Sequence, residues 1–412
     1  MQSNCVSILP LETELGRKRE IDQSSCNKDF SCLSGFCPSF VTLIGAQVKK
    51  PAKAELALPA LPEPTLPVID GTHNIVITGV GGTGVVTVGA LLGMAAHLEG
   101  KGVGMMEMAG LAQKGGAVHI HCRIAASPAD ISAIRVAIGE ADAVIGGDLV
   151  TTSGAKTLGL MTRGRSRAVC NSHQIITGEF THNAEFSLPV DRMSIALKAR
   201  LGEDALAMLD ATKLAEKFLG DAIYSNVLML GAAWQAGLIP LSLESLERAI
   251  ELNGARVEDN LTALKFGRWA IAFPADAAAS LNGASEAAVE VDGVEFRATH
   301  LRKYQNELLA KRYLKRVAAA QAVDAEFGEA LSKGYHKLLS YKDEYEVARL
   351  HRETLEAAVA EHFTDVSSIR FHMAPPIFGK KDKQGRAVKS EFGPWMMNVR
   401  SEERRVGKEC RS

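Results

Sequence analysis

The stretch Asn74-Ile75-Val76-Ile77-Thr78-Gly79-Val80-Gly81-Gly82-Thr83-Gly84-Val85-Val86 decides the fold. Its first five residues form a short β-branched run suited to a buried strand. The glycines that follow make a turn, and the apolar residues from Val85 to about Leu98 then read as a helix. Strand, glycine turn and helix in that order open a Rossmann-like unit, where backbone N–H groups at the helix N-terminus can hold a phosphate. Gly79, Gly81, Gly82 and Gly84 are therefore candidate cofactor-binding residues. Glycine also permits close helix–sheet packing, and Gly84, Gly89 and Gly93 suit that purpose, so both readings stand.

Further strands are expected downstream. One runs from Gly102 to Glu107, and Glu107 is the candidate for a ribose hydroxyl if the loop serves a nicotinamide dinucleotide. From Val118 to Ile124, apolar residues alternate with His119, His121 and Arg123, the period of a half-buried strand. Short apolar runs at Ala143 to Ile145 and Ala168 to Cys170 complete an α/β sheet expected to be mostly parallel. Before the third strand, Gln113-Lys114-Gly115-Gly116 sets a basic side chain beside backbone N–H groups; Lys114, Gly115 and Gly116 fit either an anion or a tight turn. His119 and His121 face the same way, and a polar face is favoured over a metal pair. Asp148 ends an apolar run where ligands often bind in such sheets, although a helix cap before Thr151 explains it equally well.

From about Asp191 the pattern is helical, with Tyr224 to Ala236 and then Leu243 to Leu252, the latter capped by Ser242. Ala275 to Val294 reads as a loop or weak hairpin. Phe296 to Phe363 is mainly helical, and the Lys and Arg residues between Arg302 and Arg316 form a solvated face. Upstream, Pro51, Pro59, Pro62, Pro64 and Pro67 mark a linker, which at about 3.1 Å per residue could separate its flanks by several tens of ångströms.

Seven cysteines are present, and Cys5, Cys26, Cys32 and Cys37 fall in the first 37 residues. In a reducing cytosol such crowding points to metal or redox chemistry more than to disulfides. The spacing Cys26-x5-Cys32-x4-Cys37-Pro38 departs from the paired C-x2-C of structural zinc and ends as ferredoxin runs end. It favours iron–sulfur over zinc or plain thiols. With 47 basic and 48 acidic residues, the net charge of −1 supplies no long-range field for nucleic acid or an anionic membrane. The longest apolar stretch, Val85 to Ala96, is well short of the roughly 20 residues a membrane helix needs. The first residues carry no secretory pattern, so a cytoplasmic location is expected.

With these residues read, the chain resembles the C-terminal portion of the fused indolepyruvate ferredoxin oxidoreductase family, among the 2-oxoacid:acceptor oxidoreductases. The resemblance rests on Ser24 to Cys32 (SSCNKDFSC) continuing to Gly35-Phe36-Cys37-Pro38-Ser39-Phe40, and on Gly79 to Val86. Gly110 to Val118 (GLAQKGGAV), Tyr341 to Arg349 (YKDEYEVAR) and Phe392-Gly393-Pro394-Trp395-Met396 also carry it. It implies thiamine-dependent oxidative decarboxylation of aryl or branched 2-oxoacids, with CoA taking the acyl group and electrons leaving through 4Fe-4S clusters to ferredoxin. It further implies that Cys5, Cys26, Cys32 and Cys37 are cluster ligands, that the thiamine diphosphate modules and a further Cys-x2-Cys-x2-Cys run lie upstream, and that the assembly is a homo-oligomer. No residue of this chain is expected to act as catalytic base. The expected division is 1–46 partial iron–sulfur segment, 47–70 linker, 71–272 gamma-type α/β domain, 273–399 mainly helical domain, and 400–412 a foreign tail resembling adapter read-through, with Cys410 in no site. A fragment of a longer enzyme, inactive alone, is the expectation. The alternatives are an NAD(P)-dependent dehydrogenase using the glycine loop and Glu107, and a non-catalytic scaffold with a zinc-stabilised N-terminus.

Overall fold

The computed structural model describes residues 7–23, 26, 30–34, 37–49, 54, 56–109, 116–175, 183, 185–281, 292–341, 344–374, 380–381 and 387–395. The chain divides into a sheet unit, Lys50–Glu179 with Phe186–Glu286, and a terminal unit, Met1–Lys49 with Phe180–Glu185 and Ala287–Ser412. Strands β1 (Ile8–Leu11), β2 (Lys18–Ile21), β3 (Val41–Ile44) and β4 (Gln47–Val48) lie in the terminal unit. The sheet unit holds β5 (Thr72–Val80), β6 (Gly102–Ala109), β7 (Ala117–Ala125), β8 (Ala143–Gly146), β9 (Arg167–Asn171) and β10 (Leu206–Leu209). Its helices are α1 (Val85–Leu98), α2 (Leu149–Thr152), α3 (Ala155–Leu160), α4 (Val190–Leu201), α5 (Ala211–Leu219), α6 (Ser225–Gln235), α7 (Leu243–Asn253), α8 (Val257–Ala272) and α9 (Pro274–Leu281). The terminal unit resumes with α10 (Gly293–Tyr304), α11 (Glu307–Gln321), α12 (Ala325–Leu339), α13 (Glu344–His362), β11 (Phe363–Thr364), β12 (Ser368–Met373), β13 (Lys380–Lys381), β14 (Ala387–Val388) and β15 (Ser390–Phe392).

The sheet runs β10-β9-β8-β5-β7-β6. The pairings β10–β9, β9–β8 and β8–β5 are parallel, whereas β7 runs antiparallel to both β5 and β6. The mixed α/β fold expected from the sequence is therefore present, with an antiparallel edge that the periodicity did not reveal. Ile75, Val76 and Ile77 of the central strand are buried because helices cover both faces. On one face Ile75 and Ile77 join Val88 and Leu92 of α1 and Leu228 and Trp234 of α6; on the other, Val76 joins Leu160, Met161 and Leu197. Glycines set how closely these layers approach. A Cβ on Gly267 of α8 would fall 1.9 Å from the Leu228 carbonyl oxygen of α6, and one on Gly231 would fall 2.1 Å from the Leu264 carbonyl oxygen. The two helices thus touch backbone to backbone, with glycine required on each.

Three sequence expectations need correction here. Leu206–Leu209 is a strand, missed because LAML carries no β-branched residue and gains its pairing from β9. Pro274–Leu281 is helical, not a loop, since Pro is tolerated in a first helical turn and the alanines that follow favour helix; 282–291 lies outside the described residues. The proline-rich segment forms no helix or strand over 56–69, but it is a strap rather than a free spacer. Leu58, Leu61 and Leu66 pack on the sheet unit's core, Gln235 Nε2 donates to the Pro62 carbonyl at 2.7 Å, and Arg268 pairs with Glu63 at 3.1 Å.

In the terminal unit, α10, α11 and α12 are each opened by an Asx cap: Asp292, Asn306 and Asp324 accept first-turn N–H groups. Their shared core is small, centred on Ala298, Leu301, Ala310, Tyr313 and Val317. Beside it lies a buried polar chain. His336 Nε2 and His300 Nδ1 share a hydrogen bond of 3.0 Å, His300 Nε2 meets Glu346 Oε1 at 3.1 Å, and Arg349 binds the Glu346 carboxylate at 2.5 and 3.0 Å. Strands β15-β12-β3 form a three-stranded sheet in this unit, so the expected helical domain ends in β structure. Among the described residues no helix is long and apolar enough to cross a membrane.

Candidate functional site

The glycine turn stands at the carboxyl end of β5, the central strand. Gly82 (φ +97°) and Gly84 (φ +80°) adopt the left-handed backbone that favours glycine. Thr83 closes the turn, its N–H and Oγ1 both donating to the Val80 carbonyl at 3.2 and 2.7 Å. The four glycines then divide by role. A Cβ on Gly79 would meet Val85 Cγ2 at 2.4 Å, and one on Gly84 would meet Asn226 Nδ2 at 2.0 Å, so packing crowds both positions, and the φ of +80° favours glycine at Gly84 besides. The Gly81 N–H donates to the Gly116 carbonyl at 2.8 Å and is already engaged. Gly82 is exposed, with nothing within 4 Å of an added Cβ. It faces open space beside the N-terminus of α1, whose N-cap Gly84 supplies no side-chain cap. The helix dipole and first-turn N–H groups give this end a partial positive charge. Beneath the turn, a cavity of about 20 Å³ between Thr78, Thr83, Ser225 and Asn226 has room for roughly one water, so an anion here would sit at the outer rim.

The Gly81–Gly116 bond brings the end of the Gln113-Lys114-Gly115-Gly116 motif against the glycine turn. Lys114 and Gly115 lie outside the described residues.

Neighbouring strand ends add polar groups along the same edge. Asp148 follows β8 and is fully buried; its Oδ1 accepts the Thr151 N–H at 2.7 Å, capping α2 as one of the two sequence readings held. Burial raises its pKa, opposed by nearby N–H groups of Thr151, Val150 and Val80. Cys170 nearby is fully buried and its thiol is pushed up to about 12, which makes it unreactive. Asn171, which ends β9, ties three strand ends together. Its Nδ2 donates to Thr212 Oγ1 at 2.9 Å and to the Gly147 carbonyl at 3.2 Å, and its Oδ1 accepts the N–H groups of His173 and Ala211, both at 3.1 Å. His173 Nδ1 lies 3.2 Å from Asp210 Oδ1. Burial would raise the Asp210 pKa, but hydrogen bonds from His173 and the Lys213 N–H outweigh it and hold the carboxyl below its usual value. The only sequence signal for Asn171 and Asp210 was that each follows an apolar run.

One expectation fails on this geometry and another holds in part. Glu107 cannot act as the ribose ligand, because β7 intervenes between β5 and β6 and displaces Glu107 by two strand spacings, about 10 Å, with its side chain exposed. His119 and His121 are committed to packing partners. His119 Nε2 meets Thr157 Oγ1 at 3.1 Å, and His121 Nδ1 accepts the Val136 N–H at 2.9 Å, so the favoured polar-face reading stands for the first and a buried neutral imidazole for the second. Burial, with Arg135 and His119 adding repulsion, pushes His121 down to about 4.

The cysteine segment lies in the terminal unit. Cys26, Cys32 and Cys37 are all half-buried, Cys32 within a single turn of 3-10 helix (Ser31–Ser34), while Cys5 lies outside the described residues. Soft thiolates suit iron. Among the described residues no three His, Cys, Asp or Glu side chains gather as a metal site.

A doubly wound α/β domain with a glycine turn at its central strand and an antiparallel edge is the class that the sheet unit defines. Residues 74–270 match the family described as pyruvate ferredoxin/flavodoxin oxidoreductase, and residues 291–406 match one described as a family of unknown function (DUF6537). Indolepyruvate oxidoreductase subunit IorB of Archaeoglobus fulgidus is 29% identical over 196 residues, 47% of this chain and 92% of that protein. The same subunit of Thermococcus kodakarensis is 28% identical over 197 residues, 47% of this chain and 94% of its own. Among solved structures, pyruvate oxidoreductase subunit PORC of Thermotoga maritima is 22% identical and covers 48% of this chain and 95% of its own, with a TM-score of 0.35. The gamma subunit of keto/oxoacid ferredoxin oxidoreductase from Geobacter sulfurreducens is 19% identical, covering 48% and 98%, also with a TM-score of 0.35. Over residues 74–270 the sheet unit is thus similar to the indolepyruvate and pyruvate ferredoxin oxidoreductase subunits.

Proposed function

We propose that this chain is the gamma-type portion of a larger 2-oxoacid:ferredoxin oxidoreductase acting on aryl or branched 2-oxoacids, with thiamine diphosphate carried by modules outside it. The carrying observation is the match of residues 74–270 to that oxidoreductase family. The chain's contribution would be electron transfer and structure, with a share in the CoA site, and ferredoxin, a 2-oxoacid and CoA would be the partners of the assembled enzyme. We assign the phosphate contacts of a CoA-type ligand to Gly82, the N-terminus of α1 and Gly116, with Lys114 and Gly115 added on the sequence motif alone. Gly79 and Gly84 shape the turn, and Gly81 joins it to Gly116. The reading is supported by the open space at Gly82 and the uncapped helix end, which together suit an anion. Cys5, Cys26, Cys32 and Cys37 remain the proposed ligands of a 4Fe-4S cluster, on the thiolate chemistry of the donor set alone.

Titration of the chain with coenzyme A, followed by calorimetry, tests the glycine-rim assignment. Saturable binding is expected, weakened about tenfold or more by Gly82→Asp through like-charge repulsion at the helix end but not by the isosteric, uncharged Gly82→Asn, which shares the strain of φ +97°. Absence of binding, or equal binding by Gly82→Asp, would assign CoA elsewhere. Iron and acid-labile sulfide near four each per chain after anaerobic reconstitution are expected for the cluster; zinc, or no metal, would remove it.

A further inference from the structure

The central strand of the small sheet in the terminal unit is β12. One neighbour, β15, comes from the same end of the chain, but the other is β3, from the N-terminal segment. The register runs from Ser368 opposite Ile44 to Phe371 opposite Val41. A second pairing follows at once: β4 lies antiparallel to β11, with Phe363 opposite Val48 and Thr364 opposite Gln47, and the Lys49 N–H donates to the His362 carbonyl at 2.8 Å. Between the two pairings, Gly45 turns the chain with φ +79°, where a Cβ would lie 2.9 Å from Ser367 Oγ and 3.0 Å from the Asp365 carbonyl oxygen. Ser367 fixes this turn by donating from both N–H and Oγ to the Ile44 carbonyl, each at 2.8 Å.

Side chains bind the same two segments. Val41 packs on a small core of Ala348, Phe371 and Met373, and Thr42 Oγ1 shares a 2.7 Å hydrogen bond with His372 Nε2. The contact reaches the cysteines themselves: Lys389 Nζ donates to the Cys37 carbonyl and lies 5.9 Å from the centre of the Phe40 ring. Removing residues 41–48 would leave one edge of β12 unpaired and part of that core uncovered, a state that folded sheets avoid.

We infer that the region matched by the family of unknown function serves to anchor the cysteine segment, taking Val41–Ile44 and Gln47–Val48 as added strands and holding Cys37 through Lys389. The two ends of the chain are one folding unit here, and the C-terminal region fixes the backbone on which Cys37 stands. This role does not depend on what the thiols bind.

Hydrogen exchange on the metal-free full chain tests it first: the amides of 41–44 and 47–48 that face β12 and β11 should exchange about a hundredfold or more slower than unstructured peptide. Iodoacetamide labelling at fixed pH, read by mass spectrometry, tests it second. Phe371→Ala should speed alkylation of Cys37 about tenfold or more, while Cys122 and Cys170 of the sheet unit stay unlabelled. Should that variant unfold the terminal unit outright, Lys389→Met decides, since losing one hydrogen bond should raise Cys37 labelling about fivefold. Lack of protection at the amides that face β12 and β11 in the native chain, or wild-type labelling of Cys37 in both variants, would overturn the inference. A negative iron assay alongside protected strands would remove only the cluster.

Discussion

The sheet unit and the terminal unit solve the problem of stability differently. In the first, a continuous core covers both faces of β5, and its tightest contact is backbone on backbone where Gly231 and Gly267 let α6 and α8 meet. In the second, two small apolar clusters flank a buried polar chain of His336, His300, Glu346 and Arg349, and strands from opposite ends of the sequence close the sheet. A large core tolerates a polar edge at its strand ends, where ligands can bind. A small core depends on satisfying each buried polar group, because an unsatisfied one costs as much as a hydrophobic contact supplies.

The most severe test of this contrast is Gly267→Leu. A Cβ 1.9 Å from a carbonyl oxygen cannot be relieved by a rotamer change, so the helices must separate, at a cost of about 4 kcal/mol or more. Denaturant titration followed by tryptophan fluorescence should show it, since Trp234 and Trp269 are buried in that core. A midpoint within error of wild type would show that the crossing does not govern the unit.

Acid comes next. His336 is 6% exposed, and burial, with His300, Arg297 and Lys18 adding repulsion, pushes it down to about 4 from 6.5. Its folded pKa lies below the unfolded value, so the unfolded state binds the proton first. The stability contribution is complete above pH 6.5 and is lost as pH falls toward 4, about 3 kcal/mol at most. Glu346 adds a separate, lower window. Burial would raise its pKa, but His300 and Arg349 outweigh that and hold it at about 2, so its contribution is present above pH 4.5 and lost as pH falls toward 2. Protection factors of α10 and α12 amides, corrected for the intrinsic pH dependence of exchange, should fall from pH 7 to 4 in wild type and less so in His336→Gln; parallel behaviour would show that His336 does not carry the effect.

The smallest effect is a gain. Gly334 sits exposed within α12 with nothing within 4 Å of an added Cβ, so Gly334→Ala should stabilise the terminal unit by about 0.5–1 kcal/mol through helix propensity alone. Thermal unfolding monitored by exchange in α12 would reveal it, and a loss would mean that the helix backbone is constrained by a contact beyond its own surface.

Local chemistry made the sheet unit legible. The β-branched run Ile75 to Thr78, the glycine turn and the apolar helix were each apparent from neighbouring residues, as was the Ser242 cap, while the Asp148 cap was one of two readings left open. What a glycine is for was not legible: Gly79 and Gly84 serve packing while Gly82 stays open, a division set by Val85 and Asn226. Asn171 and Asp210 gained their roles only when β9 and β10 paired.

By itself, then, the sequence determined the α/β character of the middle of the chain, the helices after it, and the position of the glycine turn, because helix and strand periods and turn residues act over a few positions. Only the tertiary structure decided that β7 separates β6 from β5, which removed Glu107 from the site, and that Val41–Ile44 completes a sheet with Ser368–Met373. Strand pairing joins backbone N–H and C=O groups that every residue carries alike, so a partner more than 300 positions away leaves little trace in the side chains that a sequence displays.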